Sequence, residues 1–295
     1  MLNRSKSAVL RVLREVSLLP LRALGNGERR RALEKLNASM VTEVDVPKGK
    51  LQFVTTTSLL HARAASVLSK EPDTIRWIDG FGSADVFWDI GANVGVFSLY
   101  AARCRHVHVL AFEPSADNYM ILCKNIEINH LDCHVVPYCI ALAGNTELGV
   151  LNSPSREMGA ALHQFGWSGE TSRYWSGGVS KSVQGMIGFT IDDFIRQFRP
   201  PFPTRLKLDV DGLEGSILRG AEQTLRDLRL QSVMAELPLS DKAERDSAIA
   251  VLSGAGFDLV MRGEVQESGG ESAANHFFVR KGSQLTNNTA RLPIQ

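Results

Sequence analysis

The chain has 295 residues and a formal net charge of +1, with 44% apolar and 22% charged residues. This balance is that of an ordinary soluble globular protein, long enough for one large domain with appendages. The cysteines show no Cys-x-x-Cys or Cys/His ligand spacing, and Cys133-His134 with Cys139 are better explained as buried strand residues than as metal ligands. We therefore expect free thiols in a reducing compartment. The cysteines are Cys104, Cys123, Cys133 and Cys139.

Positive charge is concentrated at the N-terminus, where residues 1–36 carry nine Lys and Arg against three Glu. Their apolar helical face is formed by Val9, Val12, Leu13 and Val16. Arg11, Arg14 and Arg22 interrupt the apolar run, which excludes a secretory or membrane-spanning segment. We expect residues 1–49 to form a basic amphipathic helical extension. It either contacts an anionic membrane surface or a partner, or packs with its basic face in solvent. Nucleic-acid binding is not expected, because no basic–aromatic interleaving extends beyond it.

A strand and two helices are predicted before the main alternating pattern. The strand covers Leu51–Thr57 and the first helix Leu59–Leu68. Glu71-Pro72-Asp73-Thr74 opens the second helix, with Asp73 as its cap and Trp77 on its inner face.

From Val86 onward, buried apolar strands alternate with helices. The predicted strands are Val86–Ile90, Val107–Phe112, His134–Ile140, Arg205–Val210 and Ser232–Leu237. The predicted helices are Val94–Arg103, Ser115–Asn129, Leu213–Leu228 and Ala243–Ala255. Phe257–Met261 and Asn275–Arg280 close the pattern as an antiparallel pair. The sequence therefore predicts an α/β fold over residues 50–281, a Rossmann-like, doubly wound and mostly parallel sheet with an antiparallel last strand. Its ligand crevice is expected at the carboxyl ends of the strands.

Residues 152–188 break this rhythm with seven glycines and several large aromatic residues. The aromatic residues are Phe165, Trp167, Tyr174 and Trp175. Such a segment is either a substrate lid or a surface insertion whose aromatic residues pack on the sheet. His163 is the histidine best placed for acid–base chemistry, although a lone loop histidine is more often solvated. Residues 282–295 are expected to be a disordered tail.

The most informative motif is a glycine turn between a strand and a helix. Asp89-Ile-Gly-Ala-Asn-Val-Gly ends the first strand of the alternating pattern. Gly91 and Gly95 allow a tight turn and close backbone approach, and Ala92 and Asn93 lie between them. The motif lacks the Gly-x-Gly-x-x-Gly spacing of dinucleotide folds. Asp89 is instead placed to accept hydrogen bonds from a ligand ammonium such as that of S-adenosylmethionine (SAM).

A second motif, Glu113-Pro114, ends the next strand at the same edge of the sheet. Glu113 can accept hydrogen bonds from both hydroxyls of a ribose, and Pro114 stops the strand. The alternative is that Glu113 merely favours the dipole of the following helix.

Together with further blocks, these motifs resemble the FkbM family of SAM-dependent methyltransferases over roughly residues 70–281. The blocks are Asp89–Ser98, Phe112–Ser115, Thr190–Phe194, Leu206–Ala221, Met234–Leu237 and Asn275–Val279. The chain departs from the family pattern at Asp211, where Glu is more usual, and at Leu213, where Ala is usual. The resemblance implies a class I methyltransferase fold, SAM as cofactor, and O-methylation of a hydroxyl on a sugar, polyketide or other small molecule.

In that fold the methyl group and the acceptor should meet at the end of the fourth strand. Asp209 lies there and is the candidate base or acceptor-positioning group, while Asp211 and Glu214 either touch substrate or cap the next helix. A base contributes about 10²–10⁴-fold, and orientation roughly 7–11 kcal/mol. Asp209, Asp211 and Glu236 offer carboxylates to a divalent cation, but nothing in their spacing demands one, so no metal is predicted.

Adenine recognition in such folds usually comes from the end of the third strand. Ile140 and Ala141 are placed to sandwich the ring there, with Phe97 and Asn118 completing the pocket. Asn93 is expected to shape the glycine turn and reach the methionine carboxylate.

The leading hypothesis is a cytoplasmic O-methyltransferase. In this hypothesis the basic N-terminal helix either contacts a membrane surface or a partner, or packs with its basic face in solvent. The alternative is a non-catalytic SAM-binding partner subunit, tethered through that helix. Asp89, Glu113 and Asp209 together favour catalysis, since a scaffold would not need all three. A nicotinamide-dependent oxidoreductase is disfavoured by the missing glycine spacing.

Overall fold

The computed structural model describes residues 23–166, 182–268 and 271–283. The chain divides into two compact units, residues 1–41 and 42–295. In the first, helix α1 (Asn26–Ser39) begins after Gly25, whose amide donates to Glu28 Oε2 at 3.3 Å. The predicted apolar face around Val9 lies outside the described residues. The helical extension does not reach residue 49, because the β-branched alternation of Val41–Val46 forms a strand.

The second unit is built on a seven-stranded sheet. Its strands are β3 (Val86–Ile90), β4 (His108–Phe112), β5 (Val135–Tyr138), β10 (Arg205–Leu208), β11 (Ser232–Pro238), β12 (Phe257–Ser268) and β13 (Glu271–Arg280). A separate N-terminal hairpin consists of β1 (Val41–Val46) and β2 (Gly49–Val54). Strands β6 (Ala141–Leu142), β7 (Glu147–Ser153), β8 (Gln164–Phe165) and β9 (Ser182–Phe189) form a separate sheet. The order of the main sheet is β12-β13-β11-β10-β3-β4-β5, with β13 antiparallel to both neighbours. This confirms the predicted α/β fold and its antiparallel last strand.

Helices cover both faces of the main sheet. They are α2 (Ser58–Ala65), α3 (Pro72–Asp79), α4 (Val96–Arg105), α5 (Ala116–Ile128), α6 (Ile191–Phe198), α7 (Glu214–Arg219), α8 (Glu222–Arg226) and α9 (Lys242–Gly254). Alternation along β3 sends Phe87 and Trp88 into different cores. Phe87 packs edge-on against Trp77 of α3, with ring centroids 5.9 Å apart, while Trp88 meets Phe112 at 5.1 Å. Because large side chains are buried on both faces of the sheet, the positions of β3 and its neighbouring strands are held firmly. The ends of these strands carry the site. No helix in the described part of the chain is long and apolar enough to cross a membrane.

Two predicted helices differ from the structure. The predicted helix Leu213–Leu228 is split into α7 and α8. Gly220 ends α7 and packs tightly against Thr190, where an added Cβ would lie 3.1 Å from the threonine side chain. Asp192 accepts the amide of Thr224 at 2.9 Å and thereby caps α8. The prediction that Asp73 caps α3 is also wrong, since Glu71 occupies the N-cap and Asp73 pairs with Arg76.

Residues 152–188 belong in part to the second sheet, of order β6-β9-β7-β8. The ring of Phe165 packs over Gly149 and Gly188, where a Cβ would come within 2.9 Å and 2.5 Å of it. Phe165 therefore packs on this second sheet, and it also lines the main cavity described below, so its position does not decide between a lid and a surface insertion. Trp167, Tyr174 and Trp175, on which the lid interpretation depends, lie outside the described residues, as do residues 284–295 of the predicted tail.

Candidate active site

A cavity of about 280 Å³ opens at the carboxyl ends of β3, β4, β10 and β11. The predicted site residues that line it are Gly91, Asn93, Glu113, Pro114, Ile140, Ala141, Asp209 and Asp211. A smaller cavity of about 60 Å³ shares five lining residues with it, and Ala92 and Phe97 line only the smaller one. The shared residues are Arg63, Lys70, Gly91, Asn93 and Asp209. Three predicted residues, Asp89, Gly95 and Asn118, line neither cavity.

The glycine turn is fixed by close backbone contact. Gly91 has a φ of +82°, and a Cβ there would lie 1.8 Å from the carbonyl oxygen of Asp209. Only glycine allows β3 and the loop after β10 to approach in this way. Gly95 has a different role from the one expected, because a Cβ there would meet Leu122 and Leu99 within 2.6 Å. It lets the start of α4 pack against α5.

Two asparagines hold the loop that follows β7. Asn93 Nδ2 and Asn118 Nδ2 both donate to the carbonyl of Ala160, at 2.9 and 3.0 Å, and Asn118 Oδ1 accepts the amide of Gly159 at 2.7 Å. Asn118 is fully buried, so its side chain braces the loop rather than the predicted adenine pocket. The side chain of Asn93 likewise contacts protein where a methionine carboxylate was predicted.

Glu113 is a buried carboxyl at the end of β4. Its Oε2 accepts the amide of Asn93 at 2.7 Å and its Oε1 the amide of Ser115 at 2.9 Å. Burial raises the pKa of Glu113 to about 7, although these amides oppose the shift. Each oxygen keeps a lone pair, so the carboxylate can still accept hydrogen bonds from a pair of hydroxyls at the cavity wall.

An ion network lies beneath the site, centred on a residue that sequence reasoning missed. Lys207 of β10 is 1% exposed and stands beside Asp89 in the sheet register. Its Nζ is 2.8 Å from Asp209 Oδ2 and 3.6 Å from Asp89 Oδ1. Burial alone would lower the pKa of Lys207, but the charges of Asp209 and Asp89 raise it. For Asp209, burial alone would raise the pKa, but the charge of Lys207 holds it below its usual range. Both groups are therefore charged at neutral pH.

Asp89 is enclosed within this network. Ser98 donates to its Oδ2 at 2.6 Å, and its Oδ1 has no hydrogen-bond partner. The side chain has no exposed surface, and its nearest cation is the buried Lys207. The predicted ligand ammonium would not reach it through either cavity.

Three further carboxyl groups line the main cavity on the side of β10 and β11. Burial, with the charge of Asp209, raises the pKa of Asp211 to about 6, and its Oδ2 accepts the amide of Leu162 at 2.6 Å. Burial raises the pKa of Glu214 to about 8; it accepts the amide of Val210 at 2.9 Å and so braces the preceding loop. Asp209 first, then burial, raises the pKa of Glu236 to about 9. Among the described residues, no group of three or more His, Cys, Asp or Glu is arranged to hold a metal ion.

His163 is half-buried, lines the main cavity and is held by protein contacts. Its Nε2 lies 3.1 Å from the carbonyl of Ala160, to which it must donate, and its Nδ1 therefore accepts from Ser153 Oγ at 2.7 Å. Burial lowers the pKa of His163, which keeps the ring neutral. These contacts assign it to the support of the loop.

A doubly wound sheet with a glycine turn after one strand, a buried carboxylate after the next and a cavity between them is the arrangement of a nucleotide-cofactor site in a Rossmann-like fold. The family model for the methyltransferase FkbM domain matches residues 89–257, and the chain belongs to this family. The predicted family resemblance and the SAM cofactor are thereby confirmed. Two features fit such a cofactor. The backbone turn at Gly91 leaves no room for a Cβ, and Glu113 can accept hydrogen bonds from hydroxyls.

Two curated relatives are similar to this chain. Hexuronic acid methyltransferase AglP of Haloferax volcanii is 25% identical over 162 residues, which cover 55% of this chain and 60% of AglP. Methyltransferase sdnD of Sordaria araneosa is 28% identical over 195 residues, covering 58% of this chain and 73% of sdnD. The chain thus spans less than two thirds of AglP.

Solved structures resemble the chain only distantly. P. horikoshii TYW2 in complex with MeSAdo has a TM-score of 0.41 at 11% identity, covering 83% of this chain and 73% of its own. M. capricolum TrmK in complex with S-adenosylhomocysteine has a TM-score of 0.42 at 8% identity, covering 72% and 73%. At these values the likeness is confined to the general arrangement of strands and helices.

Proposed function

We propose that the protein transfers a methyl group from SAM to a hydroxyl of a sugar, polyketide or other small molecule. The observation that carries this proposal is Asp211, a cavity-lining carboxyl whose pKa of about 6 suits it to accept a proton near neutral pH. The name of the relative AglP, a hexuronic acid methyltransferase, supports a sugar acceptor.

The cofactor would lie across the glycine turn. Glu113 would accept the ribose hydroxyls, and Pro114, Ile140 and Ala141 offer apolar surface for the adenine ring. When bound, SAM supplies an electrophilic methyl group on its sulfonium. The turn at Gly91 brings the backbone of Asp209 against the same cavity, so the acceptor side begins at the end of β10.

Asp209 and Asp211 take different parts in this proposal. Asp209 is held ionised by Lys207, which makes it a weak base but a fixed negative charge that orients the acceptor hydroxyl. Among the described residues no cation forms an ion pair with Asp211, although the charges of Arg63 and Lys70 oppose the rise of its pKa. Its carboxylate takes the proton as that hydroxyl becomes nucleophilic. A base in this position contributes about 10²–10⁴-fold.

We propose a cytoplasmic site of action. All four cysteines are free thiols, as expected in a reducing compartment. Contact of residues 1–36 with a membrane surface or a partner stays a prediction, because residues 1–22 lie outside the described part of the chain.

The test is a methyl-transfer assay against a panel of acceptors. Release of S-adenosylhomocysteine would be measured with uronic acid glycans, neutral glycans and aromatic or polyketide alcohols, each paired with its pre-methylated or deoxy counterpart. We expect turnover with one hydroxyl class, lost in the paired counterpart and reduced about 10²–10⁴-fold in Asp211→Asn. Methylation of a nitrogen or carbon atom instead would contradict O-methylation.

A further inference from the structure

One wall of the main cavity contains none of the residues expected to bind the cofactor. It is formed by the end of β11 and by the neighbouring antiparallel pair β12–β13. Pro238 of β11 lies beside Ala273 of β13, and Ala273 lies beside Gln266 of β12, so these residues form one row across three strands. Glu236 comes two residues before Pro238 and therefore lies on the same face of the sheet. All four residues line the main cavity.

Two polar side chains of this wall have no partner in the described part of the protein. Neither the carboxyl group of Glu236 nor the amide of Gln266 forms a side-chain hydrogen bond or an ion pair there. Both residues are half-buried. Polar groups withdrawn from water are normally hydrogen-bonded, because losing water without gaining a partner costs free energy. These two groups are therefore suited to bind a polar ligand in the cavity.

Glu236 differs in this respect from the other carboxyl groups of the cavity. Glu113 accepts the amide of Asn93 at 2.7 Å, and Asp211 accepts the amide of Leu162 at 2.6 Å. Those carboxyl groups brace the loops around the site, whereas Glu236 braces no part of the described chain. Its position in the cavity wall is therefore explained better by contact with a ligand than by support of the fold.

Glu236 is also the neighbour of Asp209 across the sheet. Leu208 of β10 lies beside Ala235 of β11, so Asp209 and Glu236 follow at the same level of adjacent strands. The charge of Asp209 first, and burial second, raise the pKa of Glu236 to about 9. The further carboxyl groups that raise it are Glu214, Glu71 and Asp211. Glu236 is therefore protonated at neutral pH, so it offers an O–H donor as well as a carbonyl acceptor.

We infer that Glu236 and Gln266 determine acceptor specificity: Glu236 binds the hydroxyl next to the one that is methylated, and Gln266 binds a further hydroxyl of the same acceptor. Adjacent strands lie about 4.8 Å apart, so carboxyl groups at the ends of β10 and β11 can contact oxygens on neighbouring carbon atoms. Between Glu236 and Gln266, the compact side chains of Pro238 and Ala273 offer apolar surface for the C–H face of a sugar ring.

The acceptor class that fits this wall is a polyol with neighbouring hydroxyls, such as a pyranose, and not an isolated alcohol of an aromatic compound or polyketide. A site built to bind a hydroxyl strongly disfavours an analogue that lacks it, because the polar groups of the site are then left unpaired. The inference rests on the proposed function, since it requires an acceptor hydroxyl beside Asp209 and Asp211.

The test compares acceptors that differ by one hydroxyl. Methyl pyranosides of glucose, galactose, mannose and glucuronic acid, their monodeoxy analogues, and benzyl alcohol would be titrated calorimetrically into protein saturated with S-adenosylhomocysteine. The same compounds would be assayed for methyl transfer from SAM. For the preferred pyranoside, removal of one particular hydroxyl should lower affinity and kcat/KM about 5- to 150-fold. Benzyl alcohol should bind more weakly than that pyranoside.

Matched variants separate this role from a structural one. Glu236→Leu should bind the pyranoside and its deoxy analogue with affinities within about 2-fold of each other, while S-adenosylhomocysteine binding stays within about 2-fold of wild type. Glu236→Gln retains a hydrogen-bond donor and should keep the discrimination, which an ionised base at this position would not explain. Glu264→Leu, on β12 but outside both cavities, is the exposed control and should change neither ligand. If Glu236→Leu fails to fold, Gln266→Ala should weaken the pyranoside and leave benzyl alcohol unchanged.

Three outcomes would overturn the inference. The first is an equal loss of every ligand, S-adenosylhomocysteine included, in Glu236→Leu, which would make Glu236 architectural. The second is a wild-type protein that binds benzyl alcohol better than every pyranoside. The third is loss of hydroxyl discrimination in Glu236→Gln. Because the titrations need no turnover, they are independent of the proposed reaction: methyl transfer to nitrogen or carbon would contradict the proposed function and leave the binding comparison unchanged.

Discussion

Single buried charges determine much of the chemistry of this site, and Glu113 shows how. Burial raises the pKa of this carboxyl, two backbone donors oppose the rise, and the resulting pKa is about 7. The group therefore titrates in the neutral pH range. A protonated carboxyl loses acceptor capacity, which makes the ribose contact sensitive to pH.

We expect the affinity for S-adenosylhomocysteine to fall as the pH is lowered from 8 to 6, approaching about 10-fold per pH unit below the pKa of Glu113. The sign follows because hydroxyls donate to the carboxylate and favour its ionised form. Calorimetric titration at several pH values measures the slope. Glu113→Gln should bind more weakly at pH 8 and show a flatter slope; an unchanged slope would assign the pH dependence to another group.

Lys207 is expected to contribute strongly to stability. Lys207→Met would leave Asp89 and Asp209 buried without their cation, and breaking a buried pair costs about 3–5 kcal/mol. Urea unfolding measures this loss. Lys50→Met is the matched control, because the Lys50–Glu43 pair is exposed and should contribute at most about 1 kcal/mol. A loss for Lys207→Met no larger than the control would show that the network is not stabilising.

The residue scale is also where sequence reasoning was weakest. The sequence analysis did not single out Lys207, although a lysine in the apolar strand run Arg205-Leu-Lys-Leu-Asp was a usable signal of a buried charge. Asp89 was predicted to touch ligand, but the partners that enclose it come from α4 and β10. Those contacts depend on which strands become neighbours, and the sequence does not encode that locally.

At the scale of elements, the turn between β3 and α4 joins the two strands that carry the site. Gly91→Ala would place a Cβ 1.8 Å from the Asp209 carbonyl at a φ of +82°. We expect a loss of more than about 1 kcal/mol in unfolding free energy and at least a 10-fold loss in S-adenosylhomocysteine affinity. Gly185→Ala is the control, because nothing lies within 4 Å of its added Cβ. Equal, small effects in both would mean that the turn relaxes freely.

Elements were predictable where local signals sufficed. Val86–Ile90 was predicted to the residue because an apolar run ends at a glycine turn. The break between α7 and α8 was missed because Gly220 serves a packing contact with Thr190 of another element. The pairing of β7 with β9 was missed because glycines weaken the strand pattern and the partners are separated by about thirty residues along the chain.

At the scale of the whole molecule, folding buries several carboxyl groups at the site, and burial disfavours their ionised form. Glu113, Glu214 and Glu236 have pKa values raised to about 7, 8 and 9. A carboxyl whose folded pKa is raised binds its proton more tightly in the folded state. Its contribution to stability is full below the unfolded pKa and is lost as the pH rises through the folded one. The lowered pKa of Asp209 acts only at acidic pH and does not offset this loss.

We therefore expect the free energy of unfolding of the cofactor-free protein to decline steadily between pH 5 and pH 9. Glu236→Gln removes one of the responsible groups, so it should stabilise the protein by on the order of 1–3 kcal/mol at pH 9 and have little effect at pH 5. Urea unfolding at the two pH values measures the difference, with the exposed Glu264→Gln as control. The same change at both pH values would mean that Glu236 acts through packing. A pH-selective gain would show that the site keeps a carboxyl at the expense of stability, which is the usual signature of a group retained for function.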